Sequence, residues 1–111
     1  MKSVSSIPPQ NLGNFFSKNI DLPQETSNNV FEGEASINGA KYSVRYEQDD
    51  KSRTPLRLSL LTKERILLGD FKVETDARGD KKTVFIPGNC HGSKHVDNVA
   101  VVINMLSGTV A

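Results

Sequence analysis

The chain has 111 residues, 14 Lys and Arg against 13 Asp and Glu, a net charge of +1 and an apolar fraction of 36%. That length holds one domain with a modest core. The near-neutral balance and 6% aromatics exclude the strongly basic, base-stacking surface of a general nucleic-acid binder.

The single cysteine, Cys90, excludes an internal disulfide framework. The longest apolar run, Val99–Ile103, is far short of the ~20 residues that span a bilayer as a helix. No apolar h-region of a Sec signal opens the chain, so a soluble product without a membrane span is expected.

Residues 1–29 are rich in Ser, Asn, Gln and Pro and read as a flexible segment that is mostly disordered. One island interrupts it. Leu12, Phe15, Phe16 and Ile20 recur at helical spacing with Asn11 as N-cap, which predicts a short helix at 11–20. Such a helix either docks on the domain or orders on a partner, and in the second case Phe15 and Phe16 are binding residues.

An α+β domain is expected over 30–111. From Val30 the pattern has period two, and Asn38-Gly39 predicts a two-residue type I′ hairpin. That turn opposes Ile37 with Ala40, Ala35 with Tyr42, Gly33 with Val44 and Phe31 with Tyr46, so inward residues meet inward residues. On the other face Glu32 meets Arg45. A third strand follows at 56–60 and a fourth at 66–74. In the fourth, a bulge at Gly69-Asp70 brings Ile66 and Leu68 into phase with Phe71 and Val73. Thr83–Pro87 reads as the fifth strand.

After the loop Gly88–Gly92, Ser93 caps a helix from Lys94 to about Ser107 that stops at Gly108. Val96, Val99, Ala100, Ile103 and Leu106 then share a face. The fold class is α+β: an antiparallel meander of about five strands with a C-terminal helix on one face.

Chemistry concentrates in Cys90–Asn98, which holds the cysteine and both histidines. A thiol near a helix start beside a histidine is the arrangement of an activated nucleophile. A catalytic assignment therefore falls on Cys90 with His91 or His95. Asp97, two residues from His95 on one helix, points away from it, so Asp70 or Asp80 would have to orient the base. The same Cys90, His91 and His95 offer three metal ligands, short of the four of a closed zinc site. No phosphate loop, GxGxxG or HExxH motif is present, and no cofactor or metal is expected. Arg78-Gly79-Asp80 resembles the integrin-recognition tripeptide but falls in a predicted turn, where Gly and Asp belong. A basic strip at Lys51, Arg53, Arg57, Lys63 and Arg65 offers docking to an acidic protein partner, with Arg53 and Arg57 as binding residues.

The opening "MKSVSSIPPQ" followed by "VFEGEASINGAKYSV" resembles the front of enterobacterial type III secreted effector proteins over about the first 45 residues. The resemblance implies an uncleaved secretion signal, a chaperone or host protein as partner, and a location in the bacterial cytoplasm or outside the cell. It implies no activity. The expected function is a non-catalytic protein–protein interaction module, acting by β-augmentation at a sheet edge or through Phe15/Phe16. The alternatives are a small cysteine-dependent enzyme and an oligomer whose fifth strand or C-terminal face pairs with its own copy.

Overall fold

The computed structural model of the chain describes residues 7–89 and 93–108. Its elements run α1 (Gln10–Asn19), β1 (Asp21–Ser27), β2 (Val30–Ile37), β3 (Ala40–Gln48), β4 (Pro55–Thr62), β5 (Leu67–Thr75), β6 (Lys81–Pro87) and α2 (Ser93–Leu106). The strands form one antiparallel sheet in chain order, each beside the next.

Asn38 and Gly39 take φ of 51° and 80°, the doubly positive backbone of a type I′ turn. The β2–β3 register is the expected one, from Ile37 on Ala40 to Phe31 on Tyr46. Because side chains alternate faces, this hairpin decides which face each later strand must bury. Phe31, Tyr46, Leu58, Phe71 and Phe85 line up as one row across the sheet, beside Val44 and Leu60 in the next.

Both helices cover that face. α1 lies over β3 and β4, while α2 lies over β2 and β5. The Phe16 ring stacks on Tyr46 at 5.2 Å, and Leu12, Val102 and Leu106 are fully buried. The β5 bulge is present one position earlier than expected. Leu60 pairs with Gly69 and Leu61 with Leu67, so Leu68 is the extra residue. Leu68 and Phe71 both enter the core, but Ile66 is left 40% exposed in the preceding turn.

Several expectations are corrected. The sheet has six strands, because residues 21–27, expected in a disordered tail, form β1. Every β1 side chain is exposed, so backbone pairing with β2 and the buried Ile20 just before it hold the strand. Asn11 does not cap α1. It lies inside the helix, and its Nδ2 donates to the Leu106 carbonyl at 2.7 Å, satisfying one of the carbonyls that a helix C-terminus leaves free. α2 ends at Leu106, and Gly108 just beyond it takes φ 73° as its stop, but its buried face is Val99, Val102 and Leu106. Val96 is 50% exposed and Ala100 is exposed.

Gly33 marks the place where the α1–β1 corner crosses β2. A Cβ there would lie 2.2 Å from Ile20 Cγ2 and 2.8 Å from the Asp21 carbonyl oxygen. Gly33→Ala should therefore destabilise the fold by about 1–3 kcal/mol, the usual cost of overpacking, as read by urea unfolding. Unchanged stability would contradict this docking of α1 and β1.

Candidate functional site

The uncovered face of the sheet is polar. Glu32, Arg45, Ser59 and Asp70 form one row and Glu47, Arg57 and Lys72 the next. Asp70 sits at the centre of the best-connected cluster. Arg57 Nε donates to its Oδ1 at 3.1 Å and Arg57 Nη2 to its Oδ2 at 2.6 Å, and the Ser59 hydroxyl also donates to Oδ1. Burial alone would push the Asp70 carboxyl up. The hydrogen bonds from Arg57 and Ser59 and the guanidinium charge outweigh burial and hold it below the usual carboxylate value.

The expected basic strip is therefore not a free cationic surface. Arg57 is committed to Asp70, Lys63 to Glu34 at 3.0 Å, and Arg65 to Glu32. Arg53 stands apart, exposed in the 49–54 loop with φ 60°. A concave basin of about 370 Å3 lies between β1 and β4, lined by Thr26, Glu32, Arg45, Glu47, Arg57 and Ser59 among others. Carboxylates and guanidinium groups alternate along its floor, so its charge selects no ligand class.

Phe15 and Phe16 are 4% and 8% exposed, and both belong to the core. They are packing residues, not a docking surface. Cys90 and His91 lie outside the described residues. His95 is described, and it is tied to a structural network. Asn38 Nδ2 donates to Asn98 Oδ1 at 3.0 Å, and Asn98 Nδ2 donates to the Tyr42 hydroxyl at 2.5 Å. The Tyr42 hydroxyl also shares a hydrogen bond with His95 Nδ1, 2.9 Å away. This chain of bonds fastens the hairpin turn to α2. Asp97 is exposed, Asp70 is committed to Arg57 and Ser59, and Asp80 lies in the exposed β5–β6 turn beside Arg78. None of the three is joined to His95. Among the described residues no group of His, Cys, Asp and Glu is placed to hold a metal ion, and no helix is long and apolar enough to cross a membrane.

The two sheet edges differ. β1 is irregular, with register shifts between Asp21 and Gln24 and between Glu25 and Ser27. It carries Pro23, and Leu22 has φ 52°. These features blunt an edge against further pairing. β6 pairs with β5 in unbroken register from Lys81 on Thr75 to Pro87 on Gly69.

Its hydrogen-bond phase follows from its ends. The Gly88 N–H donates to the Leu68 carbonyl at 3.0 Å and the Asp76 N–H to the Asp80 carbonyl at 2.8 Å. Both bonds mark the terminal pairs as non-hydrogen-bonded ones. Alternation then turns the backbone groups of Lys82, Val84 and Ile86 toward β5, and those of Lys81, Thr83 and Phe85 outward. Thr83 is nonetheless fully buried, while Lys81 is exposed and Phe85 half-buried, so the edge is closed at its middle. Pro87 falls at an outward position, where its missing N–H costs the ladder nothing. The phase of β6 was missed by sequence reasoning, which has no signal for it. The strand itself was legible. Searches of protein-family models, curated proteins and solved structures give no match to the chain.

Asp70→Asn should cost on the order of 2 kcal/mol at pH 7, less than a fully buried pair because Arg57 is half exposed. A carboxyl held low in the folded state contributes stability above its unfolded value near ~4, and that contribution is lost as pH falls through the folded value. The gap between wild type and Asp70→Asn should therefore close on acidification, as followed by thermal melts from pH 7 downward. A gap independent of pH would contradict the ionised Asp70–Arg57 pair.

Proposed function

We propose that this chain is a non-catalytic protein–protein interaction module that takes an extended segment of a partner protein at the outer edge of β6. The supporting observation is the regular, outward-facing backbone of β6 on a sheet whose other edge is broken by bulges and Pro23. Main-chain bonds at Lys81 and Phe85, on either side of the fully buried Thr83, would supply affinity, as in β-augmentation generally. The side chains of Val84 and Ile86, half-buried and 39% exposed, would read the apolar residues of the incoming strand.

The resemblance of the first ~45 residues to type III secreted effectors adds to this reading. It favours a small, virulence-associated bacterial protein, secreted without a cleaved signal, whose partner is a chaperone or a host protein. With Phe15 and Phe16 in the core, the edge strand is the better docking element.

Lys81→Pro tests the site, since it removes one outward donor at the first strand position and no bond to β5. Affinity capture from host-cell extract should yield a partner with wild type and with Leu22→Asp on the β1 edge, and lose it with Lys81→Pro. Equal capture by all three, or loss with Leu22→Asp alone, would overturn the assignment.

A further inference from the structure

We infer that Asn38-Gly39 is a modification site, where the chain converts its own Asn38 amide to a carboxylate, and that the bond from Asn38 to Asn98 guards it. The reaction is attack of the Gly39 backbone nitrogen on Asn38 Cγ, with water as the only co-reactant. It does not depend on the β6 edge.

Asn38 is followed by glycine, and no other asparagine in the chain is. Both residues are exposed. The β2–β3 ladder closes at Ile37 on Ala40, which leaves the Gly39 N–H outside it. Among the described residues nothing stands within 4 Å of the place a Gly39 Cβ would take, so the nitrogen is unshielded. In the step itself the Gly39 nitrogen loses its proton and bonds to Asn38 Cγ, while the Cγ–Nδ2 bond breaks and Nδ2 leaves as ammonia. Water then opens the cyclic imide. Opening at Cγ leaves aspartate at this position; opening at the backbone carbonyl leaves isoaspartate, which adds a methylene to the turn. Water is consumed and ammonia released, with no change of oxidation state.

The guard acts on the leaving group itself. Asn38 Nδ2, which must depart, donates to Asn98 Oδ1 at 3.0 Å. Ring closure requires Cγ to turn onto the Gly39 nitrogen, within the roughly 3–3.5 Å of a reactive approach, and the bond to Asn98 must open first. Held on α2, the amide is protected; released, it can close. The product cannot be refastened in the same way. A carboxylate only accepts, so it meets Asn98 Oδ1 acceptor to acceptor. Turning the Asn98 amide round would satisfy the carboxylate, but only by taking Nδ2 away from the hydroxyl of the buried Tyr42. Isoaspartate also lengthens a two-residue turn whose length sets the register. Conversion therefore runs one way and loosens the N-terminal half of α2 from the hairpin.

The test is ageing of the full chain in warm, mildly alkaline buffer, followed by peptide mapping by mass and an isoaspartate assay. Wild type is compared with Asn98→Ala, which removes the guard, and with Leu58→Val, a truncation of the buried β4 residue paired with Tyr46. The expected result is conversion at Asn38 ahead of every other asparagine. It should be faster by about two- to tenfold in Asn98→Ala, the equivalent of one hydrogen bond, and by less in Leu58→Val. Amide exchange over residues 95–102 should also be faster in the aged wild-type product, separated by charge, than in fresh protein. That second reading does not need Asn98→Ala to fold. Another asparagine converting first, no acceleration by Asn98→Ala, or equal acceleration by both variants would overturn the inference. So would an aged product whose α2 exchanges as before.

Discussion

The register of β2 on β3 is the constraint from which the rest of the structure follows. A two-residue turn at Asn38-Gly39 admits one pairing, and a slip of a single residue would send Phe31, Tyr42, Val44 and Tyr46 to the opposite face. With that pairing set, β4, β5 and β6 must present Leu58, Phe71 and Phe85 to the same side. The turn also reaches α2 through side chains, from Asn38 to Asn98 and on to Tyr42 and His95. Its position therefore fixes the seat of the helix as well as the parity of the strands.

Burial on one side only gives the two faces different physics. The helix-covered face is held by apolar packing of α1 and α2 on a row dominated by aromatic side chains, where each buried large side chain contributes about 1.5–3 kcal/mol. The uncovered face is held by pairing of charges, with Asp70–Arg57–Ser59 as its anchored centre and Glu34–Lys63 and Glu32–Arg65 at its margin. Exposed pairs such as these margins add little stability. They do remove free charge from the face.

Much of this was legible in the sequence, for definite reasons. Asn-Gly between alternating runs specifies a hairpin in a way that few other signals do, and each later strand repeats the period. The helical content of α2 was legible from spacing and from Gly108. Its orientation was not, because Asn98 and His95 are drawn inward by Tyr42 while Val96 is left outside, and an apolar count ranks those residues in the reverse order. β1 was invisible for a related reason. It buries none of its side chains, so composition sees only a polar tail where the backbone in fact completes a ladder.

The site divides the same way. Phe15 and Phe16 were correctly marked as too apolar to leave in water, and the core is where they went. The basic strip misled because a sequence shows its cations but not the carboxylates that neighbouring strands bring opposite them. The outward phase of Lys81, Thr83 and Phe85 depends on which pair of the β5–β6 ladder is hydrogen-bonded, and no side-chain pattern encodes that.

Residue-resolved amide hydrogen exchange across β6, on dilute monomeric protein, tests the central claim most directly. The expected pattern has Lys82, Val84 and Ile86 protected by the ladder, Thr83 slowed by its burial, and Lys81 and Phe85 exchanging fast. Uniform protection along the strand in the monomer would mean that the edge is already covered by the chain itself, and the β6 docking surface would fall.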